Sequence, residues 1–245
     1  MHVIPARTLR LPRFIRELKA DLGGIAAVEF ALALPAVMGF GMYGIEVANL
    51  AQTHLRVSQA ALALADNASR VGIMTNLNVQ QLREVDINDI IEGVRAQAKN
   101  LNLGVNGRIT LSSLETNSSG GQWIHWQRCL GLKRGPGWDS SYKKEGEGIT
   151  GTSFAGMGPA GKEVKAPPGA AVMFVEINYQ YQPIIGAWLI GSPRITYTAS
   201  YVVRDKRDLD QTYPYNGAKN GGVATGGVYN PSPQVTPMTC DKYTT

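Results

Sequence analysis

The stretch GGIAAVEFALALP, Gly23 to Pro35, is apolar almost throughout yet carries one carboxylate, Glu29, five residues after Gly24. It opens a run from Ile25 to Val47, 23 residues whose only charged members are Glu29 and Glu46. A helix rising about 1.5 Å per residue reaches roughly 34 Å over that run, against a bilayer hydrocarbon core of about 30 Å. Pro35, Gly39, Gly41 and Gly44 are poor residues for a soluble helix and are tolerated in a membrane helix. The pattern therefore predicts a long N-terminal membrane-spanning helix. The apolar core of a cleaved secretory signal is only about 7–15 residues, so simple secretion is the weaker reading.

An acid in such a run needs a reason. At the centre of a span it costs on the order of 2.5–3.5 kcal/mol, less near the end, where snorkelling to the interface can relieve it. A chemical account is sharper. A cut after Gly24 would create a positive amine on Ile25 and make Glu29 the fifth residue of the new chain. Buried together in a bundle of such helices, amine and carboxylate lower each other's desolvation cost. Pairing between neighbouring subunits would also set their axial register.

The flanks orient the segment. Residues 1–24 hold five basic residues (Arg7, Arg10, Arg13, Arg16, Lys19) against Glu17 and Asp21, which is +3 of the chain's formal +5. With Leu9, Leu11, Phe14, Ile15 and Leu18 between the arginines, this leader suits a short interfacial amphipathic helix. The positive-inside bias places it in the cytoplasm and the rest of the chain outside. The remaining 221 residues carry only +2, which argues against a nucleic-acid partner. The two cysteines, Cys129 and Cys240, belong to no metal-ligand spacing. Outside the cytoplasm a single disulfide is their natural state; two unpaired thiols are the alternative.

Beyond the span the helix continues. Leu50, Val57, Ala61, Leu64, Ala68 and Val71 form a narrow, alanine-rich seam suited to close packing on a helix or sheet, and Gly72 is a stop signal. A second helix is predicted from Asp86 to Lys99. Four β-rich stretches follow, at 108–115, 122–128, 171–183 and 194–204. Their aromatics Trp123, Trp126, Tyr179, Tyr181, Tyr197 and Tyr201 suit cross-strand packing on one sheet face. A long Gly/Lys/Pro loop covers 131–169, and from Gly217 the tail reads as loop or disorder that Cys240 alone could pin. The fold class is α+β: a long N-terminal membrane helix, then a small antiparallel-sheet domain with a second helix and long loops.

Two motifs suggest chemistry and fail on detail. GMGPAGKE (Gly156–Glu163) satisfies G-x-x-x-x-G-K, but Glu163 stands where a phosphate loop needs Ser or Thr, and no helix is predicted after it. GTSFA (Gly151–Ala155) lacks the second glycine of a nucleophile elbow, and a triad on Ser153 would rest on His125, a strand residue. An anchored hydrolase is thus the third reading, and no cofactor or metal is expected.

A basic leader, Gly24, four small or apolar residues, Glu29, Phe30 and a long apolar helix resemble a type IV prepilin. The finer pattern GIAAVEFALALP followed by GIEVANL is similar to the TadE-like pseudopilins of the tight-adherence (Flp) system, over roughly Gly23 to Val71. The resemblance implies cleavage by a prepilin peptidase between Gly24 and Ile25, with Glu29 pairing to the amine of a mature chain. It also implies a pilin-like domain in the periplasm, a bacterial inner-membrane location and no enzymatic activity. The partners implied are the membrane, the peptidase, other pilin-like subunits and the pilus assembly platform. On this reading the chain divides into a leader (1–24), a membrane helix continuing as an amphipathic one (25–73), an extracytoplasmic α+β domain (74–210) and a Gly/Pro-rich tail (211–245). The runner-up is an uncleaved, signal-anchored extracytoplasmic binding domain.

Overall fold

The structure, a computed structural model, describes residues 17, 23–74, 79–209, 228–231 and 233–245. The leader other than Glu17 and Gly23–Gly24, and the tail from 210 to 227, lie outside the described residues. The chain divides into two units, Met1–Ala48 and Asn49–Thr245. The boundary between the units falls inside the first helix.

Helix α1 runs unbroken from Gly24 to Arg70 and carries Pro35 within it. At about 1.5 Å per residue it is roughly 70 Å long. In the first unit most of its large apolar side chains are exposed, Phe30 to 66% and Phe40 to 78%, whereas Glu46 near the end of the unit is buried. In the second unit the seam is buried: Val57, Ala61, Leu64 and Ala68 all belong to the main core. Gly72 ends the helix with φ +146°, and a Cβ there would stand 2.7 Å from Gln80 Cγ and 2.8 Å from the Gln81 carbonyl oxygen. The last carbonyls are capped from afar. Gln80 Nε2 donates to Arg70 O (2.9 Å), and Arg207 Nη2 donates to Val71 O (2.7 Å) and Ala68 O (3.2 Å). A cation at a helix C-terminus meets the negative end of the dipole. Burial pulls the Arg207 guanidinium down to about 10, and Glu115, Asp205 and Asp86 oppose that shift.

Short strands β1 (Ile73–Met74) and β2 (Gln80–Gln81) pair antiparallel and lead into α2 (Glu84–Gln97). This helix starts two residues before the predicted Asp86 because Asp86 serves as its N3 cap, accepting from the Arg83 backbone N–H at 3.0 Å. Its apolar stripe of Ile87, Ile91 and Val94 joins the same core as α1. A short helix α3 (Leu103–Asn106) then feeds β3 (Gly107–Thr116).

Strands β3, β4 (Gln122–Leu130), β5 (Val172–Gln180) and β6 (Arg194–Val202) form one antiparallel sheet in the order β4-β3-β5-β6. Alternation gives it two faces. Ile109, Leu111, Val175, Ile177, Tyr179, Ile195 and Ala199 share a core with α1 and α2. Trp126 and Tyr181 are buried in that core, while Tyr197 and Tyr201 pack against it half-buried. One bulge breaks the β3–β4 register: Ser113 faces Trp126 and Leu114 faces Ile124, so His125 is left over.

The opposite face is polar and nevertheless buried, with Arg108, Thr110, Ser112, Gln127, Glu176 and Asn178 all inaccessible. The long loop covers it. Ser141 donates from both its backbone N–H and its hydroxyl to Glu176 (3.0 and 2.9 Å), and Asn178 Nδ2 donates to Trp138 O (3.1 Å). Phe154, Met157 and Val164 of the loop close a second apolar cluster over Leu114, Ile124 and Phe174.

The last segment of the chain, expected as loop or disorder that Cys240 alone could pin, is held to the fold at more places than Cys240 where it is described. Val228, Tyr229 and Asn230 are buried, and Tyr229 O accepts from Glu84 N–H (2.8 Å). Further on, Met238 O accepts from Cys129 N–H (2.6 Å) and Thr244 O from Gly131 N–H (2.8 Å), closing the outer edge of β4. The physical reason is the buried Arg108, whose two terminal nitrogens donate to the carbonyls of Gly131, Cys240 and Lys242 at 2.6–2.9 Å. A segment without periodicity is ordered here by long-range backbone pairing.

Candidate functional site

The proposed processing residues stand at the start of α1. Gly24 is its first residue, and a Cβ built there meets nothing within 4 Å. Ile25 is 53% exposed. One turn on, Glu29 is exposed, and its carboxylate has no hydrogen-bond or ion-pair partner among the described residues. The second acid of the run, Glu46, is buried.

The large apolar side chains of this half, Ile25, Val28, Phe30, Leu32, Leu34, Val37, Phe40, Tyr43 and Ile45, are all exposed. At 100° per residue they fall at every azimuth of the helix, with no polar face opposite them. A helix that is apolar all round is stable only where lipid or protein covers all of it. Among the described residues one helix, α1, is long and apolar enough to cross a membrane.

In the second unit Cys129 and Cys240 form a disulfide, with Cα atoms 4.8 Å apart and a sequence separation of 111. It ties β4 to the C-terminal segment that Arg108 also holds. Burial lowers the Arg108 guanidinium from its ordinary value, opposed first by Asp139, whose Oδ1 lies 3.6 Å from Nε. Tyr243 stacks on the same guanidinium, 4.3 Å from its Cζ. Beside the disulfide an open cleft of about 440 Å³ is lined by Thr110, Gln127, Asp139, Lys144 and Tyr243.

The residues considered for catalysis are not assembled as a triad. His125 Nδ1 lies 2.9 Å from Glu115 Oε2, and its ring stacks on Trp123 at 4.3 Å. The other oxygen of Glu115 accepts from Ser113 Oγ at 2.6 Å. The acid therefore stands between serine and histidine, and Ser153 is an exposed loop residue with no hydrogen bond to His125. Around GMGPAGKE, Met157 and the following Val164 bridge as a small antiparallel pair. The Gly161 N–H donates to Glu163 Oε1 at 2.9 Å, holding that carboxyl below its ordinary range. The protein's own carboxylate takes an amide that a phosphate would need. Among the described residues no group of three or more His, Cys, Asp or Glu is placed to hold a metal ion.

Two buried features escaped the sequence reading. Glu84 at the start of α2 and Arg128 on β4 are fully buried and form a bidentate ion pair. Only the packing of α2 against the sheet brings them together, since 44 residues separate them. The other is the contact of Asn49 Nδ2 with the Tyr181 hydroxyl at 2.6 Å, which locks α1 to the end of β5.

Comparison with protein-family models, with curated proteins and with solved structures finds no match.

Proposed function

We propose that this chain is a minor pilin-like subunit of the TadE type, a part of the machinery that assembles and secretes Flp (tight-adherence) fibres at a bacterial inner membrane. The observation that carries the reading is the double character of α1. One continuous helix is apolar and uncovered over its first half and packed on a sheet through a small-residue seam over its second. A subunit that is held in a bilayer before being packed laterally among copies of the same helix needs both halves.

In this reading a prepilin peptidase cuts between Gly24 and Ile25 at the cytoplasmic face, and the mature helix begins at Ile25. The exposed Glu29 then receives the new amine of a neighbouring subunit. Burying the pair among apolar helices offsets two desolvation penalties at once and sets the axial register of the two subunits. The cysteine pair agrees with an oxidising compartment for the second unit.

N-terminal sequencing of protein extracted from membranes of cells with an active prepilin peptidase tests the reading. A mature chain starting at Ile25 is expected; a leader still joined to Ile25 would leave an uncleaved, anchored domain instead. Glu29→Ala is expected to insert normally and to reduce fibre assembly, scored by counting fibres on cells that retain the variant in their membranes.

A further inference from the structure

We infer that the loop between β5 and β6, residues 182–193, is a second membrane contact that lays Ile184 and Trp188 into the headgroup boundary of the bilayer crossed by α1. The inference rests on the reading of α1 as a membrane span. It concerns a different part of the chain.

The loop is apolar and uncharged. From Ile177 to Pro193 the sequence INYQYQPIIGAWLIGSP contains no Asp, Glu, Lys or Arg. Trp188 is 72% and Ile184 67% exposed, in a unit whose other large aromatic side chains mostly face the core. A single exposed leucine on a protein surface calls for no explanation. An exposed tryptophan and isoleucine four residues apart on one uncharged loop form a patch of the kind that marks a contact.

The loop is also built to present them. Tyr181 N–H donates to Pro193 O at 3.0 Å, and the Ser192 hydroxyl donates to Tyr181 O, which closes its base. Gly191 N–H donates to Ala187 O at 2.9 Å, completing the one-turn helix α4 (Ala187–Ile190). Ile190 anchors that turn against the core. Gly186 takes φ +152°, and a Cβ there would stand 2.7 Å from Trp188 Cδ1. The indole lies over the Gly186 backbone, whose φ of +152° already favours glycine there.

Its position in the fold selects lipid as the partner. Tyr181, at the base of the loop, accepts the Asn49 side-chain amide, and Asn49 is the first residue of the second unit, directly after the apolar run. Five residues along α1, His54 Nδ1 lies 3.3 Å from the Tyr197 hydroxyl, which is three residues into β6. Moving away from the span along α1 therefore means moving away from the loop along β6. The loop end of the sheet is the end of the second unit at which the chain arrives from the apolar run. Tryptophan, with an apolar ring and one N–H donor, is the residue most suited to the headgroup level.

The test uses the full-length protein in vesicles of phosphatidylethanolamine and phosphatidylglycerol, with acyl chains brominated close to the headgroup. Tryptophan emission is compared between wild type and Trp188→Phe, with carbonate extraction of the same vesicles as a separate measure of α1. Brominated lipid is expected to quench wild-type emission, and Trp188→Phe to remove most of that quenching while Trp123, Trp126 and Trp138 stay dark to it. Equal quenching in both proteins, or none in wild type, with the protein retained in the carbonate pellet, overturns the loop contact and leaves the span standing. Release by carbonate overturns the span and the loop contact together. If quenching is absent and Ile184→Ser weakens cross-linking between copies of the chain, the loop is a subunit contact and the lipid assignment is wrong.

Discussion

The two halves of α1 share a backbone and obey opposite rules. From Gly24 to Ala48 large apolar side chains point in all directions and are exposed; from Asn49 to Arg70 burial follows a stripe of Thr53, Val57, Ala60, Ala61, Leu64, Ala65, Ala68 and Ser69. The stripe is made of small residues because α1 must lie close to a sheet whose facing side chains include Tyr179 and Tyr181. The first half sets large apolar side chains among its glycines and alanines, and those large side chains are exposed rather than fitted to a sheet. Composition alone does not separate the halves; the direction in which apolar side chains point does.

Four variants can break or sharpen this contrast. All are read in the full-length protein in detergent by denaturant unfolding followed through tryptophan emission, since Trp123, Trp126, Trp138 and Trp188 all lie in the second unit. The largest effect is expected from Leu64→Ala, which removes a fully buried side chain from the seam and costs about 2–5 kcal/mol. A loss well below that range would mean that the packed half is not part of the cooperative unit. Replacing both Cys129 and Cys240 by serine should cost about 2–4 kcal/mol, because the bond closes a long loop. An unchanged midpoint would show that Arg108 and the backbone pairing hold the C-terminal segment without it. Ala61→Leu overfills the seam and should cost about 1–3 kcal/mol; a neutral result argues for slack between α1 and the sheet. The smallest effect is expected from Leu32→Ala in the apolar half, within about 0.5 kcal/mol for the second unit. A larger shift there would erase the distinction between the halves.

Much of the architecture was readable in one dimension. The four strands fall within a few residues of their predicted bounds, because β-branched and aromatic residues alternate along them. The predicted strand 171–183 stops at Gln180, where Pro183 and the loop closure at Tyr181 and Pro193 turn the chain. The residues that hold the second sheet face were not readable. Arg108 looks like an ordinary strand arginine in sequence, and its acceptors are backbone carbonyls of Gly131, Cys240 and Lys242, which have no side-chain signature. His125 likewise reads as a strand residue, and only the register reveals it as the bulged one beside Glu115.

For the candidate site the balance is reversed. Gly24, Ile25 and Glu29 were placed by spacing within one helix, and the structure adds that they are exposed and that Glu29 has no partner among the described residues. Helical periodicity, the length of the apolar run and the position of an acid within it are local properties, written in residues a few places apart, and sequence suffices for them. The strand order β4-β3-β5-β6, the Glu84–Arg128 pair, the binding of the chain end to β4 and the placement of the 182–193 loop beside Asn49 are different. Each joins groups from 44 to more than a hundred residues apart or depends on such a joining, and only the packed tertiary structure decides which of the many possible partners meet.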